Sequence, residues 1–442
     1  MPGEKTYICI DLKSFYASVE CVDRELDPLE TKLIVADPDR SEKTICLAIT
    51  PAMKALGIKN RCRVFQIPQG INPIVAKPRM RRYMQVSATI YAIYLRFVSP
   101  QDIHVYSIDE CFIDATPYLT LYKMNARTFA ETLMDAVLKE TKIPSTAGVG
   151  SNLFLAKVAL DVTAKHAPDG IGFLDENSFK REIWFHRPIT DIWNVGPGIA
   201  RRLAKYSVFD LAGVAAMQPE TLYSEFGVNA EYLIDHAWGQ EPCTIAEIQS
   251  YEPEGHSLTN GQVLSCDYSF EEARMIVHEM VDESVLELVD LGLVTERISL
   301  RIGYVHKKTE ENDVEFFEGG HGKRVVRERG SHEHTGGTRK IERRTNSKKL
   351  LLQRFDDLFD ETTRQEGGIR RIHIGFGDLL PEEYATFTLF DDIEAEAKER
   401  TIQETLNAVR GKFGKNAMLK GTSLKDKVTT RERNEQVGGH HA

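Results

Sequence analysis

Tyr106-Ser107-Ile108-Asp109-Glu110-Cys111-Phe112-Ile113-Asp114 sets two adjacent carboxylates inside an otherwise apolar run. Ile103 to Ile108 reads as a strand that delivers the acids, and Cys111 to Ile113 continues the apolar pattern beyond them. A second segment far upstream has the same character. Ile8, Cys9 and Ile10 run into Asp11 and Leu12, and Phe15-Tyr16-Ala17-Ser18-Val19-Glu20 then takes helical spacing. Ionised carboxylates at the edge of an apolar sheet repel one another and lose hydration, so they require a cation. Hard oxygen ligands of this kind suit Mg²⁺, which completes its shell with waters and substrate phosphates. Two such ions, about 3.5–4 Å apart, can clamp the attacking and leaving oxygens of a phosphoryl transfer. The rival reading is a pair of unrelated exposed turns.

At 442 residues the chain is too long for one ordinary core, and its length suggests about three domains. A hydrophobic fraction of 42% with 28% charged residues is that of a soluble globular protein. No run of 18 apolar residues occurs, so no transmembrane helix and no membrane partner are expected. Met1-Pro2-Gly3-Glu4-Lys5 leads straight into a strand without a signal-peptide pattern. The seven cysteines form no CxxC pair and sit largely in apolar contexts, as at Cys9, Cys46 and Cys111. They read as reduced core thiols of a cytoplasmic protein. A net charge of −10 argues against a uniformly basic nucleic-acid binder, yet the charge is segregated. His321 to Arg354 holds eleven Lys or Arg against three Glu, whereas Asp391 to Glu399 is mostly acidic. Local basic surfaces decide whether a polyanion can dock.

Residues 1–175 read as α/β, with a Pro-, Gly- and Lys/Arg-rich insertion at roughly 30–80. Arg81-Arg82-Tyr83 opens a helix with apolar Ile90, Ile93, Tyr94 and Phe97, and a further helix spans about 126–141. A strand at 145–150 precedes another helix, for which Ser151 is the expected N-cap. Residues 176–245 are short helices broken by Gly and Pro. There Ile192-Trp193-Asn194-Val195-Gly196-Pro197-Gly198-Ile199-Ala200-Arg201-Arg202-Leu203 looks like a helix-hairpin-helix. Its glycines open a turn whose N–H groups face an anion, and the following arginines and Lys205 strengthen the reading over a plain interhelical turn. From about 256 the order is strand 261–268, helix 269–291, strand 296–305, strand 337–344, a helix capped by Asn346, and strand 369–376. This β-α-β-β-α-β order matches a split βαβ unit. The polar insert at about 307–336, with Gly319-Gly320 and Gly330, reads as a mobile or hairpin loop or as disorder. A helix over 393–409 and an uncovered polar tail close the chain. No internal repeat, zinc-ligand spacing, Walker lysine motif or Ser-His-Asp pattern occurs.

Tyr7–Glu20, Arg82–Ser87, Tyr106–Asp114, Gly148–Lys157 and Ile192–Leu203 together resemble a Y-family translesion DNA polymerase, in the family's order and over about residues 5–390. Lys54-Ala55-Leu56-Gly57 and Thr345-Asn346-Ser347 resemble its UmuC branch, and the long tail resembles the UV-damage repair proteins of Gram-positive bacteria and their mobile elements. The resemblance implies an α+β multidomain right hand. A ferredoxin-like palm would take residues 1–14 and 81–175, small fingers 15–80, and a helix-hairpin-helix thumb 176–245. A βαββαβ little finger would take 256–390, and a C-terminal helix and tail 391–442.

By position, the resemblance puts Asp11 and Asp109 on two Mg²⁺ ions, Glu110 on the ion that activates the primer 3′-hydroxyl, and the Leu12 carbonyl on a metal. It makes Tyr16 the steric gate against a ribose 2′-hydroxyl, with Phe15 beside the sugar. Lys54 and Lys165 would hold the incoming deoxynucleoside triphosphate, offsetting its charge as point cations. The chain departs from the family's pattern here: Thr50-Pro51-Ala52 stands where many members carry Tyr, and Lys54 replaces Arg. A monodentate contact and a missing phenol would weaken the grip on the nucleotide. Gly196 and Gly198 would grip duplex phosphate, and Arg339, Lys340, Arg343 and Arg344 would meet the primer-template backbone. Strand alternation puts Arg339, Ile341 and Arg343 on one face and Lys340, Glu342 and Arg344 on the other, so a solvated edge strand is the rival. Tyr384-Ala385-Thr386-Phe387-Thr388-Leu389-Phe390 resembles a sliding-clamp peptide, with Thr386, Leu389 and Phe390 as anchors and Thr386 in place of Gln. The expected activity is low-fidelity, template-directed synthesis past lesions within the SOS response. A non-catalytic DNA-binding accessory and a nucleotide cyclase are its rivals.

Overall fold

The computed structural model describes residues 5–39, 42–253, 255–305, 314–316, 324–326, 333–389 and 391–441. Two compact units emerge, Met1–Tyr251 with Val437–Ala442, and Glu252–Gln436. In the first, β1 (Tyr7–Leu12) leads into α1 (Phe15–Val22). An insert of β2 (Leu33–Val35), β3 (Ala48–Ile49), α2 (Pro51–Ala55) and β4 (Ile74–Ala76) has its own small core around Ile34, Cys46, Ile49, Met53 and Cys62. Then come α3 (Met80–Tyr94), β5 (Ile103–Val105), β6 (Glu110–Asp114), α4 (Thr116–Tyr122), α5 (Ala126–Thr141), β7 (Ser145–Gly150), α6 (Leu153–Val158) and β8 (Ile171–Leu174). Their sheet runs β5-β6-β1-β7-β8, with β1 central and antiparallel to both β6 and β7. Ile8, Ile10, Phe15, Tyr83, Ile90, Phe129 and Leu133 share one core, which welds α1, α3 and α5 to that sheet. Short helices α7 (Glu176–Glu182), α8 (Pro197–Ala204), α9 (Leu211–Ala215), α10 (Pro219–Phe226), α11 (Ala230–Ala237) and α12 (Ile245–Ser250) complete the unit.

Two glycines let α6 lie flat on β7. A Cβ at Gly148 would stand 2.1 Å from the Ala156 carbonyl oxygen, and one at Gly150 would stand 2.2 Å from the Ala156 nitrogen. Real side chains do not tolerate such contacts, so the Gly-Val-Gly spacing sets how near α6 comes to the sheet. The cap of α6 differs from expectation. Asn152, not Ser151, accepts from the Leu155 N–H at 2.8 Å. The expected strand over Ile103–Ile108 ends at Val105, because the Tyr106 and Ser107 N–H groups turn back onto the Glu110 carbonyl at 3.0 and 3.1 Å.

The second unit contains β9 (Leu258–Tyr268), α13 (Phe270–Asp290), β10 (Leu293–Tyr304), the paired β11 (Val314–Phe316) and β12 (Arg324–Val326), β13 (His334–Thr345), α14 (Lys348–Thr362) and β14 (Ile369–Gly377). Most of the polar insert, with Gly319, Gly320 and Gly330, lies outside the described residues. The sheet order is β13-β10-β14-β9, antiparallel throughout. Helix α13 joins β9 to β10 across β14, and α14 joins β13 to β14 across β10, as a split βαβ unit requires. Ser269 caps α13 in a capping box with Glu272. Ser347 rather than Asn346 caps α14, and the Asn346 amide donates instead to the Leu293 carbonyl at 3.1 Å.

The tail is not uncovered. Helix α15 (Ile393–Phe413) docks on this unit through Arg410–Glu283 at 2.8 Å and the Asn407 amide on the Leu286 carbonyl at 2.8 Å. The segment around α16 (Thr430–Asn434) joins β9 to α13. The Gln262 amide donates to the Thr429 hydroxyl at 2.6 Å, the Tyr268 hydroxyl to the Lys427 carbonyl at 2.7 Å, and Lys427 pairs with Glu272 at 2.7 Å. Polar residues alone signalled disorder, but their partners are acids on a helix over a hundred positions upstream.

Candidate active site

The central strand pairing brings the distant acids together. Asp11 on β1 faces Glu110 on β6 directly across the antiparallel ladder, and the Leu12 N–H donates to the Asp109 carbonyl at 3.0 Å. Asp109 ends a tight turn stapled by Ser107, whose hydroxyl donates to the Asp109 carboxylate at 2.7 Å and accepts the Glu110 N–H at 3.1 Å. Burial, reinforced by the charges of Glu110 and Asp109 and opposed by Lys157, pushes the Asp11 carboxyl up to about 8. Burial also raises Glu110, against the pull of Lys157. That lysine projects from α6 and forms an ion pair with Glu110 and another, at 2.9 Å, with Asp161. Burial works against its charge, but Asp161 and Glu110 outweigh burial and hold the ammonium above its ordinary range.

Burial pulls Lys54 below its ordinary range, while the charge of Asp11 opposes this and that of Lys165 adds to it, so Lys54 lies within electrostatic reach of both. Thr50, fully buried, spends its hydroxyl on the Leu33 backbone, accepting from the N–H at 3.2 Å. Tyr16 is half-buried and stacks on Tyr83 with ring centroids 4.4 Å apart and planes 14° from parallel. The Tyr83 hydroxyl donates to Glu20 at 2.8 Å, and Glu20, wholly inaccessible, is held by Arg24 and by Arg79 at 2.9 Å. Phe15 departs from expectation: its ring is 2% exposed and belongs to the core, which withdraws it from a sugar.

Reading the sequence passed over Lys157, Ser107, Tyr83 and Glu20 as members of this site. Lys157 had a signal: it is the one charge within Leu153-Phe154-Leu155-Ala156-Lys157-Val158-Ala159-Leu160. A buried cation needs a buried partner, and the acids of the next strand are that partner. The donor set fits divalent ions in kind: three hard carboxylates, one of them held against ionisation by its neighbours, beside a backbone carbonyl. In their present rotamers no three His, Cys, Asp or Glu side chains among the described residues are grouped to hold a metal ion. Glu110 is turned to Lys157 instead.

The impB/mucB/samB family profile matches residues 10–161, and the profile of that family's C-terminal domain matches 256–389, together more than half of the chain. The chain belongs to the impB/mucB/samB family of Y-family DNA polymerases. It is 28% identical over 439 residues to the putative UV-damage repair protein UvrX of Bacillus subtilis, covering 99% of this chain and 97% of that one. It is 26% identical to DNA polymerase IV 2 of the same organism, with both chains covered in full. A solved Y-family DNA polymerase chimera shares the fold with a TM-score of 0.62 at 18% identity, covering 85% of this chain and 99% of that one. It is thus a translesion-type, DNA-directed DNA polymerase of the UV-damage repair family, and primer-template DNA and deoxynucleotides are its substrates.

In this polymerase Gly196 is the N-cap of α8 and Gly198 lies in its first turn; a Cβ at either would meet open space. Arg202 of α8 is committed to the Glu225 carbonyl at 2.7 Å and to the Phe226 ring at 4.2 Å, leaving Arg201 exposed. On β13 the expected alternation holds for Ile341 and Arg343, both inward, and for Lys340, Glu342 and Arg344, which point outward or stay half-exposed. Arg343 therefore departs from the expected contact with the DNA backbone. At 5% exposure it is locked by Glu396 and, at 3.3 Å, by Asp391, so it ties down the chain after the clamp-like peptide and cannot reach a phosphate. Arg339 pairs with Glu361. Lys340 and Arg344 share Glu296 at 3.0 and 3.2 Å, because a register shift sets Glu296 opposite four residues of β13. In the clamp-like peptide, Thr386 pairs with the Arg344 backbone at 2.9 Å and Leu389 is 100% exposed, while Phe390 lies outside the described residues. No helix among the described residues is long and apolar enough to cross a membrane.

Proposed function

We propose that this chain carries out low-fidelity DNA synthesis past lesions by two-metal nucleotidyl transfer, as part of a cytoplasmic SOS response. Asp11, Asp109, Glu110 and the Leu12 carbonyl would hold two Mg²⁺ ions. The observation that carries this is Asp11 facing Glu110 beside Asp109, with its charge opposed by both. Such ions would lower the pKa of the primer 3′-hydroxyl and neutralise the departing pyrophosphate. The chain's own residues do the rest. Ser107 holds the Asp109 carboxylate in one orientation. Lys54 and Lys165 gather negative phosphate next to the acids. Tyr16, braced by Tyr83, cannot swing away from a ribose 2′-hydroxyl and so excludes ribonucleotides. The 3′-oxygen attacks the α-phosphorus as the bond to the β-phosphate oxygen breaks.

Residues 1–14 and 81–175 would act as palm, 15–80 as fingers, 176–245 as thumb and 256–390 as little finger. The turn at Gly196 and Gly198 would face duplex phosphate, and Arg339, Lys340 and Arg344 would follow the backbone. Thr386, Leu389 and Phe390 would dock on a sliding clamp, for which the exposure of Leu389 speaks. Primer extension tests the reading. Asp109→Ala/Glu110→Ala should abolish extension on an undamaged template and across an abasic site, while the parent extends both with Mg²⁺. Normal extension by the double variant would sink the metal assignment.

A further inference from the structure

The proposed DNA-gripping turn and the proposed metal-binding turn meet at one aromatic contact. Trp193, three residues before Gly196, donates its indole N–H to the Tyr106 hydroxyl at 3.1 Å, and their rings meet edge to face with centroids 5.9 Å apart. Trp193 is backed by Phe112 at 6.0 Å and by His236 at 6.0 Å and 19°, and His236 in turn stacks on Phe154 at 4.0 Å. His236 is itself fixed by Glu241 at 3.0 Å. The indole thus sits on a rigid, buried base.

Tyr106 is the first residue of the acid turn. Its N–H closes the turn onto the Glu110 carbonyl at 3.0 Å, and Ser107, next in the chain, orients Asp109. The turn is otherwise tied from outside by the Leu12 N–H on the Asp109 carbonyl and by the Ser87 hydroxyl on the Ile108 carbonyl at 2.6 Å. From Gly196 to the Asp109 carboxylate the path is therefore short: three residues of backbone, one indole–phenol contact, and Ser107. Asn194, inside that stretch, holds a left-handed backbone (φ 65°), which aims Trp193 back at Tyr106 while the chain turns toward α8.

We propose that Trp193 and Tyr106 are positioning residues that couple duplex binding at the Gly196–Gly198 turn to metal binding at Asp109 and Glu110. A phosphate held on the first turn bears on Trp193 through three residues of backbone, and the indole–phenol hydrogen bond passes that constraint to Tyr106 and hence to the acids. Each ligand then favours the placement of the Tyr106–Glu110 turn that the other needs, which is positive cooperativity without a large movement. Linkage makes the effect reciprocal, so metal must tighten duplex binding by the same factor.

The inference rests on the reading that these two turns bind duplex and metal, and the experiment separates the two. Binding of a labelled primer-template, with no nucleotide present, is followed by anisotropy in EDTA and in Mg²⁺ at matched ionic strength. The ratio of the two Kd values is the readout, and Asp109→Asn/Glu110→Gln supplies the part due to Mg²⁺ acting on DNA alone. The parent should show a ratio about five-fold above that variant, at the low end of typical coupling. Trp193→Phe and Tyr106→Phe should each reduce the ratio to the variant's level, and the pair together should reduce it no further. A structural role alone would change absolute affinity and leave the ratio intact. Retention of the parent's ratio in both single variants overturns the coupling while leaving the two binding turns in place. A parent ratio equal to the carboxylate variant's overturns the metal reading and the coupling with it, and loss of duplex binding by the parent overturns the DNA reading.

Discussion

Asp11 concentrates the electrostatic problem of the site in one side chain. Its native carboxyl keeps a proton up to about pH 8, whereas in an unfolded chain it releases it near about 3.9. Between those values the native state binds more protons than the unfolded state, so its contribution to stability falls as pH rises. Asp11→Asn removes a carboxylate that burial and two neighbouring acids resist. In EDTA at pH 8 the variant should be more stable than the parent by on the order of 2–5 kcal/mol, and the gain should vanish toward pH 4. Urea unfolding at both pH values checks this; identical pH dependence in parent and variant would refute it. The substitution is expected to stabilise the fold and to end catalysis, the signature of a group kept for chemistry. Glu20 is the opposite case. It is more deeply buried but fully partnered, by Arg24, Arg79 and Tyr83, and it braces Tyr16 through the Tyr83 ring.

At the scale of elements, β13 shows how a basic run can be mostly spoken for. Arg339 is paired with Glu361, Arg354 of α14 with Glu342 at 2.9 Å, and Lys340 and Arg344 with Glu296. Charge counting along residues 321–354 cannot reveal this, since Glu296 and Glu361 come from β10 and α14. Duplex phosphate must compete with these acids. Glu296→Gln should free Lys340 and Arg344 and tighten nonspecific duplex binding by up to about five-fold, given ~1 kcal/mol for such a pair, with a steeper dependence on salt. A salt titration of binding measures both, and an unchanged slope would remove β13 from the DNA-facing surface. The same paragraph of sequence was legible in its alternation: Ile341 inward and Lys340 and Glu342 outward follow from period two. Arg343 broke the reading because an inward cation found Asp391 and Glu396 some fifty residues later.

Across the whole molecule, the first and second units each carry a separate core, one built around β1 and α3 and the other around α13 and α14. The closing segment is part of the second core's support. Arg343 depends on Asp391 and Glu396, Ser347 bonds Glu399 at 3.1 Å, and Glu283 holds Arg410. Ending the chain after residue 390 would strip Arg343 of both acids and remove the Glu399 and Arg410 contacts as well. The truncated protein should therefore unfold at a clearly lower temperature by calorimetry; an unchanged transition would show the tail to be dispensable.

Much of this was open to reading in one dimension. The apolar run ending in Asp11, the β-α-β-β-α-β order, the long helix from Ser269 and the Gly-Pro-Gly turn depend on local periodicity and local turn chemistry, which neighbouring residues determine, whereas the strand expected to deliver Asp109 and Glu110 stops at Val105. The partners were not. That Lys157 answers Glu110, that Tyr83 braces Tyr16, that Trp193 touches Tyr106 and that Thr50 is consumed by β2 all depend on strands and helices brought together from far along the chain. Amino-acid order alone determined which elements form and which acids this protein presents; the packing of those elements decided which charges are answered, because a buried ion's state depends on what lies within a few ångströms of it, however distant in sequence.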